Sequence, residues 1–416
     1  MADVEKKALI IGGGIAGMTA AWELARLGAE ALLVEKSPFL GGHAIQFACK
    51  AASSCQQCAA CEVEKRLLEV SSQPGLQVML ACELVGVSKA NGNFRLTLLR
   101  QPAYIDPERC VDCAICAEEC PEEGAIKRAF SIHSHPRYAI DPERCLALSG
   151  RANCQACQKA CPAGAIDLKA DKGGLADVSV GAVVVASGFT PFNPKGKPQF
   201  GYGLHGNVLT ALEVERMLRE SGRLVRPTDG ETPKRVAFIQ CVGSRELKRS
   251  FCSQVCCGYA LRISEALHQR QPETEVSLFY IDLQAVGRDF ESLRQRSQQD
   301  LRLIRSIPGD VYPLPGERLR IFYAEPASHE VKDEEFDLAV LSVGIGPGAD
   351  NRTLADRLGV GLDDNGFFAA AEGLNDTHTA REGVFLAGTS QAPRDVADSI
   401  AHASRAAWEV ARHLGV

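Results

Sequence analysis

Sixteen of the seventeen cysteines in this chain fall into four groups of four, and no other feature narrows the fold as much. The groups are Cys49, Cys55, Cys58 and Cys61; Cys110, Cys113, Cys116 and Cys120; Cys145, Cys154, Cys157 and Cys161; and Cys241, Cys252, Cys256 and Cys257. A disulfide framework joins distant segments and belongs mostly to small exported domains. Short Cys-x2-Cys spacings instead wrap thiolates around one small metal centre. A chain of 416 residues is long enough for two or three ordinary domains and needs no covalent staples. Cys82 alone stands apart, in a strand-like segment, and reads as an ordinary buried residue.

Charge and hydropathy exclude several function classes. A net charge of −6 offers no basic field to a polyanion, so nucleic acid is not an expected partner. No apolar run approaches a bilayer-spanning helix, and the longest, such as Val178–Val185, is strand-sized. The first residues run into a strand without the apolar stretch of a signal peptide. A cytoplasmic protein is expected, with room for peripheral docking on a membrane complex.

Ala8-Leu-Ile-Ile11 reads as a strand, Gly12-Gly-Gly14-Ile-Ala-Gly17 as a tight turn, and the residues to about Leu27 as a helix. Ala31–Val34 then forms a second strand that ends at Glu35. This is the dinucleotide fingerprint in its required βαβ setting. Gly12 permits the turn, Gly14 lets the backbone approach a pyrophosphate, and Gly17 lets helix and strand pack closely. The helix N-terminus faces the phosphates, and Glu35 is placed to accept from ribose hydroxyls. Val178–Ala186, ending in Ser187-Gly188, suits a buried parallel strand whose end approaches the cofactor. Gly383–Gly388 is another strand and turn, followed by a helix from about Asp395 to His413 whose N-terminus favours negative charge on a reduced flavin.

The distance between these pieces implies insertions. Residues 101–169 contain a repeat, Tyr104-Ile-Asp-Pro-Glu-Arg-Cys110 returning as Ala139-Ile-Asp-Pro-Glu-Arg-Cys145, and Cys120-Pro returning as Cys161-Pro. Cys110-x2-Cys113-x2-Cys116-x3-Cys120-Pro is the bacterial ferredoxin run, in which the fourth cysteine serves the other cluster. Two [4Fe–4S] clusters follow, one on Cys110, Cys113, Cys116 and Cys161, the other on Cys145, Cys154, Cys157 and Cys120. Zinc also accepts four cysteines at Cys-x2-Cys spacing, but the repeated Cys-Pro units favour the ferredoxin reading.

Arg235–Gln240, a helix at about Ser253–Gln269 and Val276–Tyr280 form a second βαβ unit. Glu291–Ile307 reads as a charged, solvated helix. The strand at Arg235 leads into Cys241-Val-Gly-Ser with a single glycine, too few for close approach to a pyrophosphate. Cys252, Cys256 and Cys257 gather at the start of the next helix, where Arg249 is placed to offset negative charge. By spacing alone, this group is either a set of buried structural thiols or a metal centre. Cys49, Cys55, Cys58 and Cys61 are open in the same way, between a cluster, a redox dithiol beside the flavin and a partly ligating set.

Taken together, these motifs resemble the A-type subunits of heterodisulfide reductase, which carry flavin and iron–sulfur, over nearly the whole chain. The resemblance rests on Gly12–Gly17, on Val34-Glu-Lys-Ser-Pro38 with Gly41-Gly42, on Cys161-Pro-Ala-Gly-Ala-Ile-Asp167, on Ile239-Gln-Cys-Val-Gly-Ser-Arg245 and on Tyr280-Ile-Asp282. It implies an α/β chain with a thioredoxin-reductase-like FAD-binding fold, a second dinucleotide-like domain and an inserted double-cluster ferredoxin module. The expected divisions are 1–100 for the first part of the FAD domain, 101–169 for the ferredoxin insertion and 170–192 for the middle strand. Residues 193–327 are then the cluster-bearing dinucleotide-like domain, and 328–416 the last part of the FAD domain. The FAD set is Gly12, Gly14, Ile15, Ala16, Gly17, Glu35, Lys36, Gly41, Gly42, His43, Ser187, Gly188, Gly388, Asp395 and Val396. The resemblance also makes Cys241, Cys252, Cys256 and Cys257 ligands of a third [4Fe–4S] cluster. A form without the flanking cluster domains of the methanogen proteins is expected, similar to short bacterial relatives such as the corresponding flavoprotein of the quinone-interacting membrane-bound oxidoreductase complex. That departure leaves flavin-based bifurcation open.

The expected function is electron transfer, with flavin electron pairs split into single electrons for the clusters. The expected partners are other heterodisulfide-reductase-like or quinone-oxidoreductase subunits and protein redox partners. The rival is a self-contained NAD(P)H-dependent disulfide or sulfur reductase using Cys55 and Cys58. The crossed ligation is directly testable. Replacing Cys161 by Ser should damage the cluster held by Cys110, Cys113 and Cys116, seen by iron content and low-temperature EPR; loss of the Cys145, Cys154 and Cys157 cluster instead would show uncrossed ligation.

Overall fold

The computed structural model describes residues 4–51, 54–170, 173–284, 290–325, 327–328, 330–371 and 375–416; the reading of residues 1–3 as a direct lead into the first strand falls outside them. Continuous apolar runs put Lys7–Ile11 beside Glu30–Val34 in parallel, Ile10 opposite Leu33, with helix Ile15–Arg26 crossing between them. Val384–Leu386, Ala182–Val185, Lys7–Ile11, Glu30–Val34 and Leu76–Met79 form one five-stranded parallel sheet in that order. Such a sheet is covered on both faces, and Leu9, Ile10, Leu33, Val183 and Val184 are accordingly sealed from solvent. Helix Ile15–Arg26 shares its core with helix Val396–Leu414, through Ala20, Ala21 and Leu24 on one side and Ala403, Ala407 and Val410 on the other.

Val178–Ala186 is not one strand. The chain breaks at Gly181, so that Gly174–Val180 joins an antiparallel sheet with Asn93–Arg100 while Ala182–Val185 enters the parallel one. A Cβ at Gly181 would lie 2.3 Å from the Glu5 carbonyl oxygen, so only glycine lets the chain change sheets there. Arg100 lies opposite Gly174, so the insertion leaves and re-enters at adjacent points. Its own small core is built from Ile105, Tyr138, Ile140 and Ile166 with Cys116, Cys145 and Cys157. Cys82 opens the strand Cys82–Ala90 and is buried.

The second unit is another parallel sheet, ordered Val208–Thr210, Leu338–Val343, Arg235–Val242, Glu275–Phe279 and Arg302–Ile304. Helix Cys256–Arg270 makes its crossover. Two expectations are corrected here. The charged helix spans only Phe290–Asp300, because the apolar side chains that follow leave it, and Leu303 and Ile304 enter the sheet edge. The unit also does not stop at residue 327. Leu338–Val343 is apolar enough to be buried on both faces and sits inside this sheet, not in the first. The chain returns through Ile345–Pro347, which pairs antiparallel with Phe189–Pro191, so the two crossings between units lie side by side. Among the described residues no helix is long and apolar enough to cross a membrane.

Two features of this frame predict stability effects. A Cβ at Gly17 would stand 1.8 Å from the Gly12 carbonyl oxygen, so Gly17→Ala should cost about 1–3 kcal/mol by overpacking and lower the midpoint of thermal unfolding followed by circular dichroism. His402 is buried in the last helix, and its Nδ1 accepts from the Gly388 N–H at 2.9 Å. Burial, then the Arg394 charge, pushes its pKa down to about 4. The unfolded chain therefore binds the extra proton first, and stability should fall by up to about 3 kcal/mol as pH drops from about 6.5 towards 4. Denaturant titrations across that window should lose this slope in His402→Gln.

Candidate cofactor cleft and thiol cradles

The strands of the first sheet lead into Gly12, Glu35, Ala186 and Ala387, and a cavity of about 530 Å³ opens at those ends. Ligands of open parallel sheets bind at this edge. Of the expected FAD set, Gly12, Gly14, Ile15, Ala16, Glu35, Gly41, Gly42, His43, Ser187, Gly188, Asp395 and Val396 line the cavity. Gly12 sits at φ 108°, and a Cβ there would meet the Ala186 carbonyl oxygen at 2.3 Å. Gly14 has nothing within 4 Å of its Cβ position, so open space adjoins the backbone there. The Glu35 carboxylate accepts from the Gly13 N–H at 2.5 Å and the Ser37 N–H at 2.7 Å. His43 faces the Phe189 carbonyl at 3.1 Å, and burial lowers its pKa, so the ring is neutral near pH 7. Asp395 caps the last helix by accepting from the Asp398 N–H at 2.8 Å.

Three of the expected residues act from outside this lining. Gly17 serves helix packing. Gly388, at φ 67°, lets its turn close on Ala16, whose Cβ would be 2.5 Å from an added one. Lys36 turns away to Asp350 at 2.8 Å, which raises its pKa. It borders a second cavity of about 310 Å³ that shares Gly12, Glu35, Ser187 and Phe189 with the first. The two adjoin around Gly12 and Glu35 and together form one cleft.

The far end of the large cavity holds residues that no motif marked. Lys50 is 2% exposed, paired with the buried Glu215, and its ammonium lies 5.4 Å from the rings of both Phe47 and Tyr259. Arg394 donates to the Asp376 carboxylate at 2.8 Å and to the Gly388 carbonyl at 3.2 Å, and burial lowers its pKa. Its place just before the capping Asp395 was the one available sequence signal. Lys50 and Tyr259 had none, because they meet only through the packing of the second unit on the first.

The ferredoxin cysteines ring two small voids of about 20 Å³ each, one lined by Cys110, Cys113, Cys116 and Cys161, the other by Cys120, Cys145, Cys154 and Cys157. The repeat explains the exchange. The Asp106 N–H donates to the Ala165 carbonyl at 2.9 Å and the Asp141 N–H to the Ala125 carbonyl at 2.8 Å, so each copy is stitched to the turn after the other's Cys-Pro. Arg109 likewise donates to the Ala163 carbonyl at 3.1 Å and Arg144 to the Glu123 carbonyl at 3.4 Å. Burial and the facing Cys110 push Cys116 up to about 11. Thiols held this way ionise together only around a positive centre. Among the described residues no three His, Cys, Asp or Glu side chains close on a single ion; the thiols surround a volume instead. The donor set fits an iron–sulfur cluster.

In the second unit, Cys241 is the last but one residue of its strand, at φ 59° and within a register shift, and Cys256 and Cys257 are the first two residues of helix Cys256–Arg270. Burial and the neighbouring Cys257 push Cys241 up to about 11, and burial together with Cys257, Cys241 and Cys252 drives Cys256 well above the ordinary thiol range. The four thiols thus oppose one another's ionisation. The cation beside them is Arg245, which favours ionisation of Cys241 and Cys257 and is held bidentate by Asp282 at 2.5 and 2.9 Å. It is not Arg249, whose guanidinium instead stacks 5.1 Å from the Phe192 ring. Gly243, the loop glycine, is covered by that same ring, 2.1 Å from where a Cβ would sit. Of the remaining group, Cys58 lines the large cavity, while Cys49, Cys55 and Cys61 are exposed.

Comparison with known proteins agrees with this architecture. Residues 10–56 match the NAD(P)-binding Rossmann-like domain and residues 109–165 the 4Fe-4S dicluster domain. The thioredoxin reductase of Lactococcus lactis superposes with a TM-score of 0.53 at 14% identity, covering 98% of this chain and 99% of that one. The enzyme of T. acidophilum gives 0.52 at 13%, covering 98% of both. These likenesses show the fold. An iron-sulfur subunit of the CoB–CoM heterodisulfide reductase of Methanopyrus kandleri, of the A type, is 36% identical over 429 residues, 99% of this chain and 65% of the relative. The A-type subunit of the H(2):CoB-CoM heterodisulfide,ferredoxin reductase of Methanothermobacter marburgensis is 34% identical over 98% of this chain and 64% of its own. The chain thus spans just under two thirds of the length of these curated relatives. Similarity of this strength runs through the cleft and the thiol cradles, so the chain is similar over nearly its whole length to A-type heterodisulfide reductase subunits.

Proposed function

We propose that this chain is an oxidoreductase subunit that binds FAD non-covalently in the cleft and [4Fe–4S] clusters in the two ferredoxin cradles and at Cys241, Cys252, Cys256 and Cys257. One observation carries the reading: Cys256 lines the same cavity as Gly12, Gly14 and Asp395, so the dinucleotide cleft opens directly onto a thiol group suited to a cluster. The bound cofactors supply two-electron and one-electron redox chemistry, and the protein binds, orients and tunes them. Gly12 and Gly14 clear the backbone for the pyrophosphate, Glu35 takes the ribose, and the N-terminus of helix Val396–Leu414 favours negative charge at the flavin end. Arg245 offsets the charge of the four thiolates. The relatives are named as subunits of heterodisulfide reductases, so the acceptors of these electrons are assigned to partner subunits of a similar complex.

The NAD(P)H-dependent disulfide reductase reading needs a nucleotide loop in the second unit. Phe192 occupies the face of Gly243 that such a loop would offer, which supports a cluster there in place of a nucleotide.

The space at Gly14 provides the test. A Cβ there has no protein atom within 4 Å, so Gly14→Val should fold normally yet lose FAD at least tenfold in affinity, read from flavin content after desalting. In calorimetric titrations the unmodified chain should take up neither NADH nor NADPH. Full flavin content in the variant, or micromolar nicotinamide binding, would overturn the reading.

A further inference from the structure

We infer that Cys55, Cys58 and Cys61, with Cys49 as the fourth ligand, hold an additional [4Fe–4S] cluster on the wall of the flavin cavity; this extends the proposed function and rests on its flavin assignment. Backbone geometry is the first ground for it. The ferredoxin loop Cys110-x2-Cys113-x2-Cys116 carries two left-handed residues, Asp112 at φ 56° and Ala114 at φ 65°, immediately before and after its middle cysteine. Non-glycine residues in that region are uncommon and persist where the surroundings demand them. The loop Cys55-x2-Cys58-x2-Cys61 has the same spacing and the same two kinks, Gln57 at φ 49° and Ala59 at φ 56°, on either side of Cys58. Of the ten described non-glycine residues with positive φ, seven belong to three of the four cysteine groups, at 55–61, 110–116 and 241–254, while the run at 145–161 has none.

The kinks do the same work in each place. The Gln57 N–H donates to Cys55 Sγ at 3.4 Å and the Gln254 N–H to Cys252 Sγ at 3.3 Å. The Asp112 N–H faces Cys110 in the same way and favours its thiolate. Each donor lies two residues after its cysteine and is aimed at charge that a ligated thiolate carries. The third cysteine of each run is then the second residue of a helix: Cys61 in Ala60–Ser72, Cys116 in Ile115–Glu118 and Cys157 in Ala156–Ala160. A redox dithiol uses a thiolate lowered by a helix N-terminus. Here Cys55 and Cys58 both precede the helix, with the kink at Gln57 between them, and only Cys61 lies in its first turn.

The loop is also held where an electron carrier would be useful. Arg262 of the second unit donates to the Gln56 carbonyl at 2.9 Å, and Arg270 to the carbonyls of Cys49 at 2.6 Å and Ala51 at 2.9 Å. Ser131 of the ferredoxin insertion donates to Glu64 at 2.5 Å, on the helix that holds Cys61 in its first turn. Cys58 and Phe130 of the insertion both line the flavin cavity. The site therefore borders the cleft, the insertion and the second unit at once.

The test uses the full chain reconstituted anaerobically with iron, sulfide and FAD. It should hold about sixteen irons, and the triple variant Cys55→Ser, Cys58→Ser, Cys61→Ser about twelve, four per cubane, with FAD unchanged. About twelve irons in both proteins would overturn the inference while leaving the proposed function intact. A chain that takes up no FAD would instead sink that function. Should the variant fail to fold, alkylation of the unmodified protein decides. Cys49, Cys55 and Cys61 are exposed, yet in the iron-loaded protein they should resist iodoacetamide and become labelled only after iron is removed. Labelling of these three in the iron-loaded protein would refute the assignment.

Discussion

Thiols drawn together out of water are the condition on which this structure depends. In the cradles and at the start of helix Cys256–Arg270, burial and mutual repulsion both oppose ionisation, driving Cys116 and Cys241 up to about 11. Without a positive centre such a group is a set of neutral thiols around a void, and the backbone around it is bent into left-handed turns at Asp112, Ala114, Cys241, Arg245 and Gln254. Residues in that region each cost of order 1–3 kcal/mol unless the surroundings offset them. Under the proposed function, metal ligation would supply that compensation, because binding free energy becomes folding free energy when the ligands converge only in the native state.

The frame around these groups explains how they come to serve one cleft. A parallel sheet sends all its strand ends to one edge, and both large units are parallel sheets. The antiparallel pairing of Phe189–Pro191 with Ile345–Pro347 ties the crossings together and turns the two edges towards one another. Cys256 thereby reaches the wall of the dinucleotide cavity although it is distant from Gly12 in sequence. The ferredoxin insertion joins the same frame where Arg100 and Gly174 face each other, so its presence disturbs neither sheet.

Much of this was legible in the residues. The glycines at 12, 14 and 17 announce a turn, an open approach and a close packing, and each has that environment. The repeat around Cys110 and Cys145 foretold which four thiols share each void. What stayed hidden depends on tertiary contact. An apolar run does not reveal that Gly181 divides it between two sheets, nor that Leu338–Val343 belongs to the second sheet and not the first. Arg245 and Arg249 both lie in the loop between Cys241 and Cys252, and only the Asp282 carboxylate and the Phe192 ring decide which one faces the thiols. Lys50 and Glu215 are far apart in the chain and meet only because the second unit packs over the first.

Everything proposed for the chain turns on the dinucleotide cleft and the thiols at Cys241, Cys252, Cys256 and Cys257 forming one redox site. Anomalous diffraction at the iron edge, from crystals of protein prepared anaerobically with FAD, addresses this directly. Iron density should be enclosed by these four cysteines, on the wall of the cavity that holds the flavin. An iron-free thiol group, or a flavin bound elsewhere than between Gly14 and Asp395, would contradict it.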